Sequence, residues 1–333
     1  MRRARVKAEG EAFYHVMSRC ALQQFLLGDN EVKGMFLKIL RRAEYFSGVK
    51  IIDYCIMDNH FHLLLKVPER QKVSDDALDD RIRVLYGAEK ASRIFGRWDI
   101  LRELGSAGVV AKERDAFRKR MFDLSEFMKT FKQRFSLWYC SNHGNLEGTI
   151  WQGPFHSVLV EGRQDALAAI SAYITLNPVR AKIVDNPGDY AWCGYGAACS
   201  GDRKAKSALL SVYAGTKQSA GKWEAYRGMV EEAMAAARQN DCASKSNRNE
   251  AMDDGNNATE SCLGKVPKTS KAVTVMCQRN RDVSRGVAFG SEMFVSASIM
   301  KASRKGKGTR TFPKAFCMGE RQTPLYCAGR HRA

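Results

Sequence analysis

Met57-Asp58-Asn59-His60-Phe61-His62-Leu63-Leu64-Leu65 is the stretch whose reading decides the fold of this chain. Asp58-Asn59 is a tight-turn pair between two apolar runs, which predicts a hairpin. In the strand after the turn, side chains alternate between faces, so His60 and His62 share one face while Phe61, Leu63 and Leu65 take the other. One face packs and the other can hold an ion, because neutral imidazole is among the commonest metal ligands. The same spacing also suits two half-buried histidines beside a turn, so it needs support from elsewhere.

Outward from the hairpin, residues 49–57 read as the strand before the turn and 60–67 as the strand after it, closed by Pro68. Upstream, residues 12–17 are rich in β-formers and read as a first strand. Asp29-Asn30 offers an N-cap to a helix with apolar positions Val32, Met35, Phe36, Ile39, Leu40 and Ala43, ended by Gly48. A strand, a helix and a hairpin make the first half of a ferredoxin-like βαββαβ sheet.

Residues 69–110 turn polar and charged, with short helical patterns, and read as a helical insertion at the rim of the sheet. Phe117, Met121, Leu124, Met128, Phe131, Phe135 and Trp138 then form one apolar stripe that predicts a single long helix. Its other side carries Arg118, Lys119, Arg120, Lys129, Lys132 and Arg134, a face suited to phosphates. Past the glycine-rich turn 144–148, the end of 151–160 reads as a fourth strand. Asp165 opens a helix running to Asn177, where Pro178 stops it. On that helix Leu167, Ile170 and Ile174 form the packing side, while Ala166, Ala169, Tyr173 and Asn177 form a second side with room for a ligand against the phenol. The expected architecture is α+β: a ferredoxin-like βαββαβ antiparallel sheet with helices on one face, a helical insertion and a basic C-terminal extension.

With 54 Lys+Arg against 36 Asp+Glu in 333 residues, the net charge of +18 favours polyanionic partners over acidic small molecules. The ten cysteines contain no Cys-x-x-Cys pair, which argues against a zinc ribbon or a disulfide framework and for reduced thiols. The basic start 1–6 has no apolar core behind it, and no run approaches the ~18 apolar residues of a membrane span. A soluble cytoplasmic protein is expected. Residues 201–238 read as a helical extension, 239–264 as a linker, and 265–333, with fifteen Lys/Arg against three acids, as a basic nucleic-acid-binding region.

His60, His62 and Asn177 together supply three neutral ligands to a divalent cation and leave positions open for substrate oxygens, the layout of a catalytic site. A phosphodiester bound there would be open to attack by Tyr173, despite the ordinary phenol pKa of about 10. Tyr14-His15-Val16, Met57 to Leu64, Trp151-Gln152-Gly153 and Tyr173-Ile174-Thr175-Leu176-Asn177-Pro178-Val179-Arg180-Ala181 together resemble the single-tyrosine HUH transposases, in particular the REP-associated tyrosine transposases. The resemblance covers about residues 10–200, and more weakly Arg285 to Ser291 with Phe294-Val295.

That resemblance implies a catalytic domain over 1–200, with Mg²⁺ or Mn²⁺ on His60 and His62, Asn177 as a third ligand and Tyr173 as nucleophile. It implies a bacterial, nucleoid-associated enzyme, monomeric or homodimeric. Its substrate would be single-stranded DNA beside a palindromic REP-like hairpin, cleaved to a 5′-phosphotyrosine and a free 3′-OH and then rejoined. Nucleic-acid contacts are expected from Arg118, Lys119, Lys129, Lys132, Arg134, His156 and Arg180. The sequence departs from the family at Pro154 and His156, where the family usually has Arg and Lys. The alternatives are a non-cleaving, transposase-derived protein that binds single-stranded DNA or an RNA hairpin, and, for single residues, a core Tyr173, Asn177 as a helix cap, and His15 as a packed histidine.

Overall fold

The computed structural model describes residue 8 and residues 10–144, 149–213, 221–249, 288–304, 313–316 and 325–328. Outside the described residues lie 1–6, the glycine-rich residues 145–148, most of the expected linker 239–264, and the basic region 265–333 except for three short stretches. The chain divides into two compact units, one of Lys7–His156 and one of Met1–Val6 with Ser157–Ala333.

In the first unit, β1 (Ala12–Arg19), α1 (Asn30–Ser47), β2 (Lys50–Ile56) and β3 (His60–Val67) follow in the expected order. Asp29 caps α1 by accepting from the amides of Glu31 and Val32. Gly48 ends it at φ 77°, where an added Cβ would meet the Phe122 ring at 2.5 Å, so the position requires glycine for both conformation and space. β3 lies between β2 and β1, antiparallel to each. Phe61 points to the helix side and is fully buried, 5.0 Å from the Phe36 ring and 5.8 Å from that of Phe131. Such edge-to-face ring contacts and their burial stabilise this core by about 1.5–3 kcal/mol per large side chain.

The insertion consists of α2 (Asp75–Tyr86), α3 (Ala88–Glu103) and α4 (Ala107–Lys119), and so reaches past residue 110. Leu78, Ile82, Leu85, Trp98, Val110 and Met121 give it a core of its own. The single long helix expected from Phe117 to Trp138 is two helices, α4 and α5 (Leu124–His143). Between them Phe122 adopts φ 56° and donates its amide to the Ser47 carbonyl. Asp123 then caps α5 through the amides of Ser125 and Glu126. The apolar stripe runs through the break because Met121 and Leu124 stay buried on either side of it.

The second unit continues with β4 (His156–Val160), α6 (Gln164–Thr175), α7 (Asn177–Arg180), α8 (Gly194–Cys199), α9 (Arg203–Leu210) and α10 (Lys222–Asn249). β5 (Ala288–Gly290), α11 (Glu292–Arg304), β6 (Pro313–Phe316) and β7 (Leu325–Ala328) complete it. Thus β1-α1-β2-β3-α5-β4 is the βαββαβ succession, with α2–α4 inserted. β4 pairs with β5 in parallel, and β5-β7-β6 are antiparallel, so the strands are mixed rather than all antiparallel. Glu161 joins these segments: its amide donates to the Phe289 carbonyl and its carboxylate accepts from the Ser291 amide and hydroxyl. Residues 288–298 are therefore packed structure, where the sequence suggests a short strand or helix around 287–295 within a stretch that otherwise reads as a basic arm. α10 runs to Asn249, into the stretch that reads as linker.

Two expectations for α6 change. The helix ends at Thr175, and Pro178 sits in the first turn of α7, where its missing N–H costs nothing. Ala166 and Ala169 are fully buried, and the Tyr226 hydroxyl of α10 lies 2.6 Å from Ser171 Oγ. Every residue from Ala166 to Thr175 is buried, Tyr173 among them, so the open side expected beside Tyr173 is covered.

Candidate active site

Strand register builds the imidazole group. Met17 of β1 lies opposite His62, and Cys55 of β2 lies opposite it on the other edge, so these three side chains share a face. His15 stands two residues before Met17 on that face, which makes it the diagonal neighbour of His62. The His15 Nε2 and His62 Nδ1 atoms are 3.0 Å apart and the rings stack with centroids 5.2 Å apart. His60 completes the row, its ring edge-on to His62 at 5.1 Å. Both His15 and His62 are buried.

The turn holds His60 in place. The Met57 amide donates to the His60 carbonyl, the Leu27 amide donates to the Asp58 carbonyl, and the buried Lys33 pairs with the Asp58 carboxylate at 2.6 Å. His60 Nδ1 lies 2.7 Å from Asn59 Oδ1, so Nδ1 carries the proton and Nε2 the lone pair. Burial, and secondarily the positive charge of Arg19, push the His60 imidazole down to about 4, against a smaller upward pull from Asp58. It is neutral at neutral pH, as a metal ligand must be.

In the His15–His62 contact one nitrogen donates and the other accepts. When His62 Nδ1 donates, its lone pair is on Nε2, the nitrogen that would ligate. When His15 donates, that nitrogen is protonated. His15, which reads from sequence as mere packing, is thus bonded to a candidate ligand. The signal was available: two antiparallel strands with histidines at these positions put them on one face.

Two imidazoles on one face fit a divalent cation as part of a ligand set. Among the described residues no group of three or more His, Cys, Asp and Glu side chains is arranged to hold a metal.

The remaining candidates occupy two places. Tyr173, Asn177 and Arg180 belong to the second unit, whereas His60 and His62 belong to the first. Tyr173 is buried, with the Arg180 guanidinium 5.0 Å above its ring. Asn177 Nδ2 donates to the Tyr173 and Ile174 carbonyls, closing the end of α6 as a cap, and leaves Oδ1 as the atom for ligation.

The basic face of α4–α5 sorts into different duties. Arg118 pairs with Asp75 and Asp115 and donates to the Val73 carbonyl. Lys132 donates to Ser18 Oγ and the Gly153 carbonyl, 5.0 Å from the Trp151 ring. Lys129 lies 3.7 Å from Glu126, an exposed pair worth little. Lys119 and His156 are exposed. Arg134 lies over the Tyr86 ring at 4.9 Å, beside a groove between α1 and α5.

These observations locate a paired-imidazole site on the strand that opened the sequence reading, and family comparison falls on the same segment. Residues 10–77 match the family model for IS200-like transposases. The transposase-like segment runs from β1 to the start of α2 and contains His15, His60 and His62. Among solved structures, the chain is similar to a REP-associated tyrosine transposase bound to a REP hairpin, with 14% identity, 60% of this chain and 85% of that chain covered, and a TM-score of 0.38. It is also similar to a candidate transposase from Deinococcus radiodurans R1, with 16% identity, 55% and 92% covered, and a TM-score of 0.24. Comparison with curated proteins gives no match. Among the described residues no helix is long and apolar enough to cross a membrane.

Proposed function

We propose that this chain cleaves and rejoins single-stranded DNA beside a hairpin through a phosphotyrosine intermediate. The observation that supports it is the His60–His62 pair on one strand face, with His15 bonded to His62, inside the segment that matches the transposase family. Mg²⁺ or Mn²⁺ is the proposed ion, with His60, His62 and Asn177 Oδ1 as ligands, and it would supply charge neutralisation at a bound phosphodiester. Imidazole nitrogen favours the transition metal of the two. Tyr173 is the proposed nucleophile. Its hydroxyl oxygen forms a bond to phosphorus, the bond from phosphorus to the 3′ oxygen breaks, and that oxygen leaves as a 3′-OH after taking up a proton. Attack by a 3′-OH on the phosphotyrosine reverses the step and releases the phenol, so the bond is conserved without hydrolysis. Arg180, over the Tyr173 ring, is suited to hold a phosphate beside it.

Incubation with hairpin-bearing single-stranded DNA and Mn²⁺ should yield a denaturation-resistant adduct that is absent in Tyr173→Phe. Persistence of the adduct in that variant would remove the nucleophile assignment. A second reading, a transposase-derived protein that binds a hairpin and cuts nothing, is favoured by Pro154 and His156 in the Trp-Gln-Gly segment and by Lys132 being engaged with protein groups. Tight hairpin binding without nicking under any divalent ion would select it, and matched DNA and RNA hairpins in competition would show which strand it binds.

A further inference from the structure

The helix side of the first unit carries a second feature. A groove of about 210 Å³ between α1 and α5 is lined by Met35, Lys38, Ile39, Arg42, Arg134 and Trp138. On α1 the four residues recur at steps of three and four, and on α5 the two are one turn apart, so each helix presents one stripe to the groove. Three cations and no carboxylate line it. Several arginines elsewhere in this unit pair with carboxylates, namely Arg83 with Asp80, Arg93 with Glu89, Arg97 with Glu113, Arg102 with Asp99 and Arg114 with Asp79, while Arg70, Arg81 and Arg120 donate to carbonyl or hydroxyl oxygens. Even Arg41, next to Arg42, pairs with Glu44. Among the described residues Lys38, Arg42 and Arg134 pair with no carboxylate. Burial, and then the nearby charges of Arg42 and Arg120, push the Arg134 guanidinium below its usual range, with only Tyr86 opposing. An anion in the groove would relieve this repulsion.

The walls are as informative as the charges. Trp138 offers a half-exposed indole face, and Met35 and Ile39 an apolar edge. The volume is below the roughly 300 Å³ at which small-molecule pockets begin, so it suits a fragment of the size of one base rather than a whole ligand. Cations for phosphates beside an aromatic face for a base are what single-stranded nucleic acid requires. The Phe61 side of the sheet faces α1 and α5, so the groove lies beyond those helices and the imidazoles lie on the opposite face.

We propose that the α1–α5 groove is a second nucleic-acid site, which stacks one unpaired base on Trp138 and holds the adjoining phosphates with Lys38, Arg42 and Arg134. It rests on the reading above only in taking nucleic acid as the partner, and it requires no cleavage. The test measures binding of the full chain to a fluorescent, unstructured oligothymidylate across a salt series. Trp138→Ala should weaken binding between about 5-fold and 150-fold, matching the ~1–3 kcal/mol of a stacked base. The Lys38→Gln/Arg42→Gln double variant, at an exposed and a half-buried position on α1, should bind more weakly and lower the salt slope by about 1.4, two phosphate contacts for a single strand.

Equal affinity and slope in wild type and both variants, with unchanged melting temperatures, would overturn the proposal. Inorganic phosphate and thymidine monophosphate serve as competitors: if either displaces the oligonucleotide at its own length-independent affinity, the groove is a free-anion site and the strand assignment fails. Adduct formation on hairpin DNA, measured in the same proteins, separates the two readings. Adduct with unaltered groove variants sinks the groove alone, and weakened groove variants without any adduct sink the cleavage chemistry alone.

Discussion

His15→Phe removes one nitrogen from the imidazole row while keeping a planar ring of similar size in a buried position. The His62 Nδ1 contact at 3.0 Å is lost, and with it the hold of this bond on the tautomer that keeps the lone pair on Nε2. Loss of such an outer partner typically weakens metal affinity about 10- to 100-fold, or about 1.4–2.7 kcal/mol. Loss of this buried hydrogen bond costs about 1–3 kcal/mol of stability besides. Mn²⁺ titration followed by the loss of the free-ion electron paramagnetic resonance signal measures the first effect, and urea denaturation with chelator the second. His15→Gln, whose amide oxygen can accept from His62 Nδ1–H, should recover most of the metal affinity, which a purely packing role would not produce. Unchanged Mn²⁺ affinity in a folded His15→Phe protein would refute the reasoning.

Stability of the metal-free protein should depend on His60. Its folded-state pKa of about 4 lies below the ordinary 6.5, so between these values the unfolded chain binds the proton first. Stability is therefore full above about 6.5, falls as pH drops through the window, and levels off below about 4, with an upper limit of about 3 kcal/mol. As pH falls from about 6.5 to about 4 in chelator, the urea midpoint of wild type should drop relative to that of His60→Gln; parallel curves would contradict this. Trp98→Ala removes a fully buried indole whose N–H donates to Glu113 at 2.8 Å and whose face carries Arg114 at 4.7 Å. It should cost about 3–5 kcal/mol, and limited proteolysis should cut first within α2–α4. Asp123→Ala removes the α5 cap and should lower stability by about 1 kcal/mol in thermal melts; no change would mean that the α4–α5 break does not depend on that carboxylate.

Much of the first unit was legible because its signals are local. Asp29, Gly48 and the Asp58-Asn59 turn punctuate β1-α1-β2-β3, and strict alternation in His60 to Leu65 separates the ligand face from the packing face. The α4–α5 break was missed because a stripe at three- and four-residue steps carries through a turn that keeps its apolar residues buried. Yet Asp123 followed by Glu126 is a capping pattern, and it marks the start of α5. The role of His15 required strand register, which one strand alone does not reveal. For α6, periodicity suggested an open side because spacing within one helix does not show the tertiary packing that buries Ala166 and Ala169; Tyr226, beside Ser171 on a further side, comes from a helix fifty-five residues away in the chain. The basic face of α4–α5 misled for the same reason: Asp75 and the Val73 carbonyl, partners of Arg118, lie far along the sequence.

The most direct measurement is peptide mass spectrometry of the full chain after reaction with hairpin-bearing single-stranded DNA and Mn²⁺. A nucleotide joined through phosphate to Tyr173, and absent from His60→Ala and His62→Ala proteins that still bind the hairpin, is the result this account predicts. Attachment at another residue, or tight hairpin binding with no attachment at all, would contradict it.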